Sequence, residues 1–168
     1  MTFQSTVNID LNLGVVGDFA LDEPNRVTPV TLAAASAMGL FHTVANGTGL
    51  ASPGGMLTAG SIIFGGISVL PKIEPLFGSS AYNPLNPNLN LAANEQVALL
   101  SLGDVIVNIP NAWNEGDFLS YTTATGVIQT YSPSGAPAGG NAQIPNAIMV
   151  RFGNAAAGGG LGIARLTN

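Results

Sequence analysis

Residues 96–131 read QVALLSLGDVIVNIPNAWNEGDFLSYTTATGVIQTY, and this stretch decides the fold. Val97, Leu99, Val105, Val107, Ile109, Phe118, Tyr121, Val127, Ile128 and Tyr131 supply apolar, strand-forming side chains. Gly103-Asp104, Asn111, Gly116-Asp117 and Thr125-Gly126 punctuate them. Gly and Asp provide the positive φ values and local hydrogen bonds that turns require. A helical period fits the stretch less well than strands do. The reading is three short strands joined by turns, pairing at short range as a meander. Such a unit nucleates an all-β domain.

Working outward, the N-terminal side opens on an alternation. Phe3, Val7, Ile9, Leu11 and Leu13 alternate with Gln4, Asn8, Asp10 and Asn12, and from Val7 the period is 2, as in a half-buried strand. No partner strand follows nearby. Two readings stand: an edge strand of the domain's own sheet, or an extended arm that adds to the sheet of another protein through main-chain hydrogen bonds. Val27 to Leu32 is a strand that Pro29 confines to an edge or a bulge. Ala33 to Leu40 suits one helical turn or a continued strand, and Phe41 to Ala45 is a strand followed by the hairpin signal Asn46-Gly47. Gly49 to Gly60 reads as a loop and Ser61 to Pro71 as the most apolar strand, with Gly65-Gly66 marking a bulge or a close backbone approach.

Glu74 to Ala93 is a long irregular segment with Pro75, Pro84 and Pro87. On the C-terminal side a second loop begins at Ser132-Pro133. Strands follow at Ala147 to Phe152 and Leu161 to Leu166, joined by the small-residue linker Ala155 to Gly160. About eight to ten strands at regular spacing predict one all-β domain, a jelly-roll-like barrel or sandwich. The expected organisation is an extended arm over residues 1–20 and a barrel over 21–168, with long loops at 74–95 and 132–146.

Composition narrows the function. The chain has 168 residues, 46% hydrophobic and only 8% charged, with 22 Gly and 11 Pro. Soluble domains carry roughly a quarter charged residues. This surface is therefore covered by Asn, Ser, Thr, Gly and Ala, or buried against neighbours in an assembly. The net charge is -5 and the basic residues are Arg26, Lys72, Arg151 and Arg165, so no basic stripe is available for nucleic acid. No Cys is present, which removes disulfides, thiol catalysis and Cys–zinc sites. The N-terminus lacks the charged and apolar regions of a secretory signal, and no apolar run reaches the roughly 20 residues of a membrane span.

The candidates for chemistry each have a plainer structural reading. Asp104, Glu115 and Asp117 are the densest carboxylates, a pattern that in other settings serves glycoside hydrolysis or calcium binding. Asp104 and Asp117 follow Gly, so the reading favoured here is that they cap turns. His42 is the lone histidine, with no nucleophile elbow to serve. The Gly-rich 155–162 stretch lacks the phosphate-loop Lys. Asn46-Gly47-Thr48 matches a glycosylation sequon, but the hairpin accounts for it. Trp113, Tyr82 and Tyr121 are candidate aromatic platforms for a ligand, and Trp113 is equally suited to an interface or a barrel cap. No catalytic residue, metal or cofactor is expected.

Phe3-Gln4-Ser5-Thr6-Val7-Asn8, followed by Gly14-Val15-Val16-Gly17-Asp18-Phe19-Ala20, resembles the start of the structural cement (decoration) proteins of tailed bacteriophages. The resemblance continues in Arg26-Val27, Gly103-Asp104, Gly116-Asp117-Phe118-Leu119-Ser120-Tyr121, Thr125-Gly126, and the linker and strand from Ala155 to Leu166. It covers both ends and the centre but not Ala33 to Ala93. It implies a barrel or jelly-roll subunit on the outer surface of a virion, made in the bacterial host cytoplasm. Its partner would be the major capsid protein, and it would form a dimer or trimer on the shell. Nucleic acid and membrane are not expected partners. Within the arm, Phe3, Val7, Ile9, Leu11 and Leu13 are the expected partner-binding residues. The alternative is a carbohydrate-binding or adhesin-like β-sandwich module on a phage tail or cell surface, since fold does not dictate function.

Overall fold

The computed structural model describes residues 15–20, 24–70, 90–151 and 159–167. The arm residues Phe3, Val7, Ile9, Leu11 and Leu13, most of the 74–95 loop and most of the 155–160 linker lie outside the described residues.

The described chain is all β. Its strands are β1 (Arg26–Leu32), β2 (Ser36–Ala37), β3 (Phe41–Ala45), β4 (Leu50–Pro53), β5 (Ile62–Val69) and β6 (Asn90–Leu91). They continue as β7 (Gln96–Ile109), β8 (Phe118–Thr122), β9 (Ile128–Tyr131), β10 (Asn141–Arg151) and β11 (Gly160–Thr167). Nine of them form one sheet in the order β1-β4-β3-β5-β7-β11-β10-β8-β9. A further β1–β7 pairing closes β1, β4, β3, β5 and β7 into a ring, and closure removes the edges of those strands. β2 and β6 form a separate two-stranded sheet.

β7 is the spine. Its first half pairs with β1 from Gln96 to Leu102 and with β5 at Ala98 to Leu100. Its second half pairs with β11 from Leu102 to Ile109. Both faces of this strand are covered, which explains its nearly continuous apolar run. Leu99 joins a cluster with Leu32, Met38, Ala51 and Val97. Leu100, Val105, Val107 and Ile109 join the larger cluster with Phe41, Ile67, Trp113, Tyr121 and Met149. Alternation along the pleat sends neighbouring leucines into different cores.

Two sequence expectations change here. Gly103-Asp104 is not a turn: both residues lie inside β7, opposite Leu166 and Arg165 of β11. The stretch 96–131 is not a meander either. Only β8 and β9 pair directly, while β11 and β10 stand between β7 and β8. The reason is a charge across strands. Fully buried Asp104 receives Arg165 Nε on Oδ1 and Arg165 Nη2 on Oδ2, both at 2.8 Å. A carboxylate held in this way can stay in a strand interior instead of ending it.

Local turn chemistry survives intact. Gly126 adopts φ +75° and donates to the Thr122 carbonyl, while Thr122 N–H donates to Val127, closing the β8–β9 hairpin at Thr125-Gly126. Asn46-Gly47 turns β3 into β4. The strand β4 therefore occupies part of the expected 49–60 loop. Asp117 Oδ2 accepts from Asn114 N–H at 2.8 Å, the turn role expected of it. The Ala33–Leu40 segment yields the two-residue β2 and no helix. β10 begins at Asn141, so the second loop is shorter than the expected 132–146.

Candidate partner-binding surface

Residues 15–20 are the described part of the stretch expected to be an N-terminal arm. Asp18 N–H donates to the Val15 carbonyl at 3.0 Å, and Asp18 Oδ2 accepts from Val15 N–H at 3.2 Å. Gly17, at φ +92°, supplies the left-handed position this turn needs. The segment is then stitched into the sheet. Gly17 N–H donates to Ile106, Ile106 N–H to Asp18, and Ala20 N–H to Asp104, at 2.9, 2.9 and 3.1 Å. Phe19 bridges Val105 and packs on the main core. Leu70, at the end of β5, donates to the Gly17 carbonyl at 2.9 Å. Residues 17–20 are therefore anchored beside the spine strand. Val15 itself is 42% exposed.

Among the described residues, the other exposed large apolar side chains are Met56, Ile63 and Leu161. With so few charges, the surface offers a partner apolar contact and hydrogen bonds more than ion pairs.

The remaining candidates fall into structural roles. Asp104 is committed to Arg165, and Asp117 to a turn. Glu115 is exposed beside that turn. Among the described residues no group of three or more His, Asp or Glu side chains is placed to hold a metal. His42 is buried, with Nδ1 3.0 Å from the Leu40 carbonyl and Nε2 2.8 Å from Ser36 Oγ. The aromatic-platform expectation fails for two of its three residues. Trp113 is 2% exposed and Tyr121 fully buried, its hydroxyl donating to the Gly55 carbonyl at 2.8 Å. Tyr82 lies outside the described residues. Trp113 is buried because Gly162 leaves room for its ring: a Cβ at Gly162 would collide with that ring and with Met149 Cε. Sequence reading missed the anchoring of residues 17–20 on β7, although the Gly-Asp-Phe at 17–19 was a signal for it.

Comparison with known proteins agrees with this architecture. The family described as structural cement protein (E217 gp24/Pam3 gp6) matches over residues 3–167. No curated protein matches the chain. A solved chain from the capsid of Myoviridae phage XM1 superposes with a TM-score of 0.64 at 12% identity. The overlap covers 100% of this chain and 99% of that one. At that identity the likeness is one of fold.

Proposed function

The chain belongs to the phage structural cement protein family and has a capsid cement role, and we propose that it binds the outer surface of the head and stabilises junctions between major capsid protein subunits. The observation that carries this reading is the family match itself, which begins at Phe3 inside the arm and runs to Thr167 in the last strand. The protein associates with capsid proteins and resides in the virion. Its synthesis in the host cytoplasm and its assembly as a dimer or trimer on the shell are part of the proposal.

The mechanism is non-covalent. The arm Thr2 to Leu13 lies extended on the capsid subunits, its alternation presenting Phe3, Val7, Ile9, Leu11 and Leu13 to them. Its rigid root between Val15 and Ala20 supports this reading, because an arm with a fixed origin loses less entropy on binding. A specific junction buries about 1,600 Å², with affinity set by a few anchors. Repetition over the lattice makes modest contacts act together. The scarcity of charge predicts weak salt dependence.

The test is co-sedimentation with expanded capsids that lack the protein. Saturable binding at a fixed ratio to the major capsid protein, with a raised shell-disruption temperature, is expected. Deleting Thr2 to Leu13 is expected to abolish binding and leave the barrel folded. Full occupancy by the truncated protein would refute the role of the arm, and failure of the intact protein to bind would refute the cement mechanism.

A further inference from the structure

We propose that Asn46 is a self-modification site: the Gly47 backbone nitrogen and water convert its side-chain amide to aspartate and isoaspartate, and the conversion unpins the 58–62 turn from the end of β3. Asn46 is the only Asn in the chain that Gly follows. Both residues are exposed at the tip of the β3–β4 hairpin. There Gly49 N–H donates to the Ala45 carbonyl at 2.9 Å and closes the turn around them. Gly47 sits at φ +105°, and a Cβ built on it meets nothing within 4 Å. No neighbour crowds this residue, and without a side chain its backbone can rotate toward Asn46. Among the described residues no acceptor holds the Gly47 N–H.

The chemistry balances with water as the sole co-reactant. Gly47 N attacks Asn46 Cγ, and the bond from Cγ to Nδ2 breaks. The proton shed by Gly47 N passes through solvent to the departing nitrogen, which leaves as ammonia. Water then opens the cyclic imide at either carbonyl, giving aspartate or isoaspartate. One contact opposes the first step. Asn46 Nδ2 donates to the Gly60 carbonyl at 3.1 Å, in an exposed position. The net worth of one such bond corresponds to about a tenfold slowing at most. The fold therefore moderates the reaction and does not block it.

Asn46 holds the turn before β5 in two ways. Its N–H donates to the Ser61 carbonyl at 2.9 Å, and its side-chain amide donates to Gly60. The turn itself is closed by Ser61 N–H and Ile62 N–H, which donate to the Thr58 carbonyl at 3.1 and 3.0 Å. Aspartate loses the side-chain bond, because a carboxylate and the Gly60 carbonyl both only accept. It also sets a negative charge against that carbonyl. Isoaspartate does more: the main chain now runs through the side-chain carbon. One extra methylene enters between Ala45 and Gly49, and the bond that closes the hairpin loses its span. The inference does not depend on the cement reading, since it concerns the isolated protein.

The experiment ages the native full-length protein in mildly alkaline buffer, beside the same chain unfolded in urea, and follows every Asn by peptide mass spectrometry. Asn46 is expected to convert first, to a mixture of isoaspartate and aspartate, at a rate within about tenfold of that in the unfolded chain. In the aged protein, and in Asn46→Asp, the amide exchange of Ser61 and Ile62 is expected to rise about tenfold, while amides paired between β7 and β11 hold. Another Asn converting ahead of Asn46, or conversion in the folded protein more than about a hundredfold slower than in the unfolded chain, would overturn the site. Conversion with unchanged exchange at Ser61 and Ile62 would overturn the unpinning. The aged native protein decides all of these outcomes, so an Asn46→Asp chain that does not fold leaves the test intact.

Discussion

Replacing Arg165 with Met is expected to destabilise the fold by about 3 kcal/mol, the low end of the range for removing one partner of a buried ion pair. The pair sits on adjacent strands in register, Asp104 on β7 and Arg165 on β11. Asp104 is fully buried, whereas the Arg165 side chain is 34% exposed. The loss is therefore asymmetric. Met keeps most of the aliphatic packing of Arg165 but removes two charge-assisted bonds of 2.8 Å from a carboxylate that water does not reach. The cost is mainly that of the stranded charge and less that of the lost attraction. For a domain of this size, about 3 kcal/mol lowers Tm by roughly 6–12 °C. The assay is urea unfolding followed by fluorescence of Trp113, the sole tryptophan. The double variant Asp104→Leu with Arg165→Met is the decisive comparison, because replacing both charges with apolar groups is often neutral or stabilising. It should recover most of the loss. If the single variant costs less than about 1 kcal/mol, or the double variant is no better than the single, the stranded-charge reasoning is wrong.

Further expectations follow from the same packing. Gly162→Ala should cost about 1–3 kcal/mol, because the new methyl meets the Trp113 ring and Met149; Gly139→Ala, where a Cβ meets nothing within 4 Å, is the near-neutral control, and equal effects in thermal melts would count against the steric account. Stability should fall on acidification from about pH 6.5 to about pH 4, because the unfolded chain protonates His42 at its ordinary pKa while the folded chain resists until about 4. The contribution is full above that window and lost below it. It amounts to at most about 3 kcal/mol, measured as the difference between native protein and His42→Gln in urea titrations across the window. Tyr121→Phe should cost about 1 kcal/mol by leaving the Gly55 carbonyl without its hydroxyl donor, read from the urea midpoint. Removal of Thr2 to Leu13 should leave that midpoint nearly unchanged, since the root residues Val15 to Ala20 carry the described anchoring bonds.

The chain by itself determined its class and its local corners. Strand-forming residues without a helical period made it all β. Asn46-Gly47, Gly116-Asp117 and Thr125-Gly126 specified turns because their chemistry acts within about four residues. The alternating N-terminus and its following Gly17-Asp18-Phe19 were enough to suggest an arm and a family. Only tertiary structure decided what Gly103-Asp104 would be. The same dipeptide chemistry that makes a turn elsewhere sits inside a strand here, because Arg165, 61 residues away, neutralises the carboxylate from the next strand. Strand order was equally illegible: β11, last in sequence, inserts beside β7 and separates it from β8. Trp113 and Tyr121 looked like surface platforms as single residues, yet Gly162 and the Gly55 carbonyl give each a place in the interior. Turns are encoded by neighbours in the chain, but the charge pairing, ring closure and burial of this protein depend on groups that only the folded state brings together.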